Sequence, residues 1–324
     1  MATVQTMRGA LDTARLGTTL MHEHVFVLTP DLLQNYPTGW DEELGIEDAV
    51  ERLGRLPSLG VHSIVDPTVV GLGRYIPRLQ RVAEQVDVNI VVATGIYTYD
   101  TLPYEFDYVG PGTPLGGDDP MIDMFVRDIT DGIAGTGVRA AFLKCAIDRP
   151  GLAPGVERAM RAVARAHRIT GAPITVHTDA RSQSGLVVQE VLASEGVDLS
   201  RVVIGHSGDS TDLDYLKRLA DAGSLLGMDR FGLDVLLPFE DRVSTVASLC
   251  HSGYAERMVL AHDASCYIDW FPPGAPAQMA PNWHYEHISR DVLPALRELG
   301  VADGQITTMM VENPRRYFER VAAY

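Results

Sequence analysis

Short runs of β-branched and apolar residues alternate along this chain with longer stretches whose apolar positions repeat at helical spacing. The runs cover 18–21, 63–65, 89–94, 140–143, 174–176, 202–204, 224–228 and 258–261. Helical periods are expected over 47–59, 75–86, 121–133, 155–170, 185–195, 212–222, 240–251 and 285–299. In 155–170, Arg158, Arg161, Arg165 and Arg168 fall between Ala and Val at spacings of three and four, which predicts one solvated arginine stripe. The strand candidates recur about every 34 residues, the length of a strand and its crossover helix. Such alternation implies parallel strands joined by right-handed crossovers. Eight repeats predict an α/β chain folded as a closed (β/α)8 TIM barrel rather than an open doubly wound sheet. The first strand ends in His22 and His24, where an open nucleotide-binding sheet carries a glycine-rich phosphate loop.

No low-complexity linker or charge block divides the chain, so residues 1–324 are read as a single domain. A barrel occupies about 250 residues, and long strand-end loops account for the remainder. Two stretches, 98–120 and 264–282, are dense in Gly and Pro and are expected to lack regular structure. Both follow strands, which places them on the C-terminal face of the barrel, where active sites form.

Composition narrows the function mainly by exclusion. With 43 acidic against 27 basic residues the net charge is −16, which repels phosphate backbones and anionic lipid, so neither nucleic acid nor membrane is an expected partner. Cys145, Cys250 and Cys266 form no framework and read as reduced thiols of a cytoplasmic protein. The N-terminal segment has no apolar core of a secretory signal, and no run approaches the length of a membrane span.

The chemistry gathers at the strand ends. His22 and His24, two residues apart at the end of the first strand, point to the same side and can reach one cation. Lys144 ends the fourth run, His177 the fifth, His206 the sixth and Asp263 the eighth. Imidazole and carboxylate suit Zn, Fe, Co or Mn. Six donors are too many for one tetrahedral ion and suit two ions that share ligands. Cys145 should face away from Lys144, and His262 away from Asp263. An ammonium at Lys144, in an otherwise apolar stretch beside cations, is costly. Loss of its proton and reaction with carbon dioxide would give a carbamate able to bridge two metals.

The stretch Gly17 to His24, the lone lysine ending the fourth strand, the histidines ending the fifth and sixth, and His262-Asp263 ending the eighth resemble the phosphotriesterase family of the amidohydrolase superfamily. The resemblance runs from about Gly9 to the C-terminal region. Tyr97 and Tyr99, the stretch Gly227 to Gly232 with Arg230, and the loop containing Trp270 are similar to the phosphotriesterase-like lactonases. That resemblance implies two divalent metal ions per chain, zinc foremost, with His22, His24 and Asp263 on the more buried ion. His177 and His206 would hold the exposed ion, and carboxylated Lys144 would bridge them. It further implies a lactonase opening N-acyl-homoserine lactones and related γ- and δ-lactones, hence quorum quenching, with phosphotriesterase activity on the side. Asp263 would accept and return the proton, aided by His206 if the two are close. Tyr97 would orient the ester, Arg230 would support Tyr97 or the substrate amide, and Asp229 is expected only to anchor Arg230. Tyr99 is expected in the pocket wall. Cys266 could line an acyl channel or act as filler, and Trp270 and Phe271 could form an apolar lid. Asp179 is expected to add negative charge near the site. A homodimer is implied as well. The competing readings are an organophosphate hydrolase first and foremost, and a non-catalytic ligand-binding barrel. A mononuclear deaminase would have no use for Lys144.

Overall fold

The computed structural model describes residues 2–36, 39–319 and 322–324. Its barrel strands fall on the eight apolar runs: β1 (Thr19–Leu20), β2 (Ser63–Asp66), β3 (Asn89–Gly95), β4 (Phe142–Ala146), β5 (Ile174–His177), β6 (Val202–Ile204), β7 (Leu225–Met228) and β8 (Met258–Leu260). Each pairs in parallel with the next in chain order. The ring closes where Met21 N donates to Leu260 O at 3.1 Å. Above that seam the strand His24–Val27 pairs in parallel with Ser265–Ile268. The second glycine- and proline-rich loop is therefore not wholly irregular. It contributes this strand and a short helix, Ala275–Met279, and the first contributes the helix Tyr104–Tyr108.

Strand alternation divides the core in two. Val65, Val91, Ala93, Phe142, Val203 and Val259 pack inside the barrel, with Tyr317 and Phe318 of the last helix joining them. Ile64, Ile90, Val92, Leu143 and Cys145 face outward into the layer shared with the helices. Lys144 thus points inward and Cys145 outward, as alternation predicts. Gly95, at φ 146°, lets β3 run close beside β4, since a Cβ there would lie 1.8 Å from Lys144 O.

The crossover helices begin and end where the sequence supplies caps. Asp41 accepts from Glu43 N and Leu44 N ahead of Glu42–Gly54, Asp212 does the same for Leu213–Asp221, and Gly171 at φ 67° ends Pro154–Thr170. The arginine stripe on that last helix is not uniformly solvated. Arg158 turns inward, donating to Asp119 Oδ2 at 2.7 Å, to Val109 O at 2.8 Å and to Phe106 O. It fastens the loop after β3 to the barrel. An N-terminal hairpin, Thr3–Thr6 with Gly9–Asp12, and the helical segments between Asp303 and Phe318 complete the chain. No helix among the described residues is long and apolar enough to cross a membrane.

His167 gives the fold a dependence on pH. It is fully buried, its Nδ1 donates to Ala172 O at 2.7 Å, and its Nε2 accepts from Tyr324 OH at 2.7 Å. Burial lowers its pKa, and burial also pulls His262 down to about 3. Both stay neutral in the folded state while the unfolded chain protonates them below about pH 6.5, so stability is retained above that pH and lost as pH falls. Unfolding free energy measured by denaturant titration should therefore decline from pH 6.5 to 4. His167→Gln should make that decline shallower by up to about 1.4 kcal/mol per pH unit. An unchanged slope would contradict the assignment.

Candidate active site

The C-terminal strand ends bring all six expected donors to one cavity of about 330 Å³, which His22, His24, Lys144, His177, His206 and Asp263 all line. The neighbours of these donors decide which atoms face inward. Asp229, at the end of β7, accepts from His22 Nδ1 at 3.0 Å, and from His206 Nδ1 at 2.9 Å and its backbone N at 2.8 Å. Gly227 leaves room for this carboxylate, because a Cβ there would lie 2.5 Å from Asp229 Oδ2. His24 Nδ1 donates to Thr68 Oγ1 at 2.7 Å, and that hydroxyl donates in turn to Asp66. His177 is held by its other nitrogen, Nε2, which donates to Asp148 Oδ2 at 2.6 Å.

With those protons placed, each inward-facing nitrogen presents a lone pair. His206 Nε2 and His177 Nδ1 face each other at 2.8 Å, and His22 Nε2 and His24 Nε2 both lie 3.3 Å from Asp263 Oδ1. Ligand atoms of His22, His24 and Asp263, and of His22, His206 and Asp229, lie within 4.8 Å of one another, a convergence of lone pairs that suits a cation. The residues present therefore fit a metal centre. Burial lowers the pKa of His22, takes His177 to about 4 and holds His206 well below its ordinary value, so these imidazoles keep the neutral, ligating form. Burial also brings Lys144 down to about 8, which raises its neutral amine fraction. Burial opposes ionisation of Asp263. The polar surroundings, with the His22, His206 and His24 rings and the Arg230 guanidinium, outweigh it, and its pKa falls well below the usual carboxylate range. His206 and Asp263 sit at φ 61° and 54°, left-handed backbone that turns their side chains back over the barrel mouth.

The other predicted residues divide. Tyr97 lines the cavity, with its hydroxyl bonded to Tyr99 OH and 3.4 Å from His177 Nδ1. Tyr99 stands behind Tyr97 and is absent from the wall, contrary to expectation. Arg230 lines the cavity but makes no hydrogen bond to Tyr97. Its Nε donates to Asp263 Oδ2 at 3.0 Å and its Nη1 to Asp209 Oδ2 at 2.9 Å. Asp229 does not anchor Arg230, being engaged by the two histidines. His206 Nδ1 lies 3.9 Å from Asp263 Oδ2, beyond hydrogen-bond reach. Cys266 does not line the cavity. It is buried in the outer core layer against Tyr285, Sγ to OH 3.2 Å, while Ser265 faces the cavity. Trp270 and Phe271 line the mouth, Trp270 with half its surface exposed. Asp179 caps the turn Ala180–Ser182 and is not among the lining residues.

The sequence does not single out Asp66 and Asp148 and assigns Asp229 another role; all three are the carboxylates behind the histidines. Asp66 and Asp229 end or follow β2 and β7, so the strand-end rule that found the ligands would have found them too. Sequence reasoning also missed Glu23, whose carboxylate accepts from His262 Nδ1 at 2.6 Å, His262 N at 2.9 Å and Ala264 N at 3.1 Å, stitching β1 to β8. The apolar loop residues Leu233, Val235 and Leu236 of the mouth were missed as well.

This barrel, with a histidine-rich centre at its C-terminal face, has the architecture of a metal-dependent hydrolase. The chain belongs to the phosphotriesterase family, whose sequence profile matches residues 2–318 and whose members use two metal ions. It is similar to the phosphotriesterase of Mycobacterium tuberculosis, whose structure superposes with a TM-score of 0.98 at 58% identity, covering 99% of this chain and all of that one. An aryldialkylphosphatase of Saccharolobus solfataricus is 38% identical over 96% of this chain and 98% of its own. A structure described as engineering organophosphate hydrolysis from a weak promiscuous lactonase template matches at a TM-score of 0.89 and 34% identity, covering 98% of this chain and 99% of that one.

Proposed function

We propose that the protein is a lactonase that hydrolyses N-acyl-homoserine lactones and related γ- and δ-lactones, silencing acyl-lactone signals, with phosphotriester hydrolysis as a side activity. The observation that carries this reading is the contrast within one cavity: a floor of inward-facing lone pairs beneath walls of Val27, Leu72, Leu233, Ile268, Trp270 and Met279. An amphipathic substrate with a polar ring and an apolar arm matches both parts. Its kinship with a lactonase template adds support.

His22, His24 and Asp263 would hold one ion, His177 and His206 the other, and Lys144, as its carbamate, would lie between them. Two divalent cations, zinc foremost, would supply Lewis acidity towards the carbonyl and lower the pKa of a shared water. Asp263 is placed to take a proton as the water oxygen bonds to the carbonyl carbon. It returns that proton to the ring oxygen as the ring C–O bond breaks, leaving a hydroxy acid. Arg230 fixes Oδ2 of that carboxylate, which keeps Oδ1 turned to the histidines. The Tyr97 hydroxyl, with its pKa raised well above 10.0 first by burial and then by Tyr99, stays protonated and can donate to the substrate.

A kinetic panel of acyl lactones against one diethyl aryl phosphotriester tests the reading. Lactones should give the higher kcat/KM. Tyr97→Phe should lower it for lactones by roughly tenfold to a hundredfold, the worth of one hydrogen-bond donor at the reacting group, and should spare the phosphotriester. The second reading, an organophosphate hydrolase, has in its favour the identity to the aryldialkylphosphatase. A panel led by the phosphotriester would establish it.

A further inference from the structure

One buried cation touches the site only through other residues. Arg242, on the helix Phe239–His251, is 2% exposed. Its Nε donates to Leu237 O at 3.1 Å, its Nη1 to Gly208 O at 2.7 Å and its Nη2 to Leu233 O at 3.4 Å. Residues 233–237 form an arch over the cavity mouth, and both of its feet rest on this one guanidinium. The crown of the arch carries Val235 and Leu236, 59% and 40% exposed, and both line the cavity. Arg242 Nη2 also lies 2.7 Å from Asp209 Oδ1, an ion pair whose angle falls short of a hydrogen bond. Asp209 Oδ2 in turn accepts from Arg230, and Arg230 donates to Asp263.

A chain of alternating charge, Arg242, Asp209, Arg230, Asp263, therefore runs from the arch to the carboxylate that handles the proton. Its members are at most one-fifth exposed, so the links are poorly screened and directional. A displacement of the arch would reach the next three groups only through the guanidinium that carries it. We propose that Arg242 is a positioning residue that couples occupancy of the arch to the placement of Asp263, so that an apolar acyl arm raises kcat and not merely affinity. This rests on the lactonase reading above. Binding energy of a remote substrate part raises kcat only if it is spent on geometry at the reacting centre, and this chain supplies such a route.

The test compares N-octanoyl- with N-acetyl-homoserine lactone on the metal-loaded full-length protein, because the two substrates differ only in the arm. The wild type should turn over the octanoyl substrate with a kcat about tenfold higher or more, and Arg242→Lys should bring that ratio within about twofold. Metal content and the thermal midpoint, measured alongside, should stay near those of the wild type. Guanidinium chloride at low millimolar concentration should restore the ratio in Arg242→Gly. Equal loss on both substrates, or a change confined to KM, would overturn the coupling. So would a wild type with no kcat advantage for the longer arm. If Arg242→Lys does not fold, Asp209→Asn decides the same ratio, since it breaks the link from Arg242 to Arg230 and leaves the arch on its guanidinium. A wild type that opens neither lactone refutes the lactonase reading itself, a result distinct from any of these.

Discussion

Lys144→Ala is expected to lower kcat/KM by about 1,000-fold or more, a loss of about 4 kcal/mol of transition-state stabilisation, and to take the metal content from near two ions per chain to one or fewer. The lysine ends β4 inside the barrel, 1% exposed, at the floor of the cavity, and among the described residues its ammonium has no ion-pair partner. A cation there would repel two metals. An anionic carbamate would instead join them, so loss of the side chain removes both the link and the charge balance. Short carboxylic acids such as acetate or propionate should enter the vacated space and restore part of the activity. The chain holds only one other lysine, Lys217. A carbamate signal from carbon-13 dioxide should thus be assignable by its absence from the variant. Full activity and two ions in Lys144→Ala would remove this residue from the centre.

Asp229→Ala should weaken both halves of the centre together. One carboxylate fixes the Nδ1 proton of His22 and of His206, and through them directs both Nε2 lone pairs inward. Carboxylates of this kind are worth roughly 10- to 100-fold in metal affinity for each histidine they orient. The variant should therefore need much higher metal concentration for half-maximal activity in a chelator-buffered titration. The buried backbone N–H of His206 would also lose its acceptor, at a cost of about 1–3 kcal/mol of folding stability. Asp229→Asn, which keeps the shape and one acceptor, should fall between. A wild-type metal titration for Asp229→Ala would show that the histidines orient themselves.

The strands and the candidate metal-binding residues were legible in the sequence for one reason. Each barrel strand is a short apolar run, and a polar residue at its C-terminal end has only the mouth to face. His22, Lys144, His177, His206 and Asp263 all announce themselves in this way. What escaped is set by contacts across the barrel. Asp148 lies in a loop, and only the fold shows that it holds His177. Arg158 shares the spacing of a solvated stripe, yet the loop after β3 folds down and supplies it with carbonyl acceptors. For Cys266 the sequence leaves both an acyl channel and a filler role open. The short strand Ser265–Ile268 packs it into the outer core layer, and that strand lies in a stretch whose glycines and prolines predict irregular structure. The role of Arg230 also turned on a partner, Asp209, that no local pattern singles out.

The seam between β1 and β8 has a consequence for how the protein is made. Glu23 reaches His262 and Ala264 across 239 and 241 residues of chain, and His22 and His24 meet Asp263 only at that seam. During synthesis the first two histidines leave the ribosome long before their third companion exists. A growing chain thus has no complete high-affinity pocket to load, and joining the two ends carries a large loop-closure cost that comes late in folding. Metal capture would then follow ring closure and report on it: an ion held by His22, His24 and Asp263 would latch a finished barrel, and its uptake would time the last step of maturation.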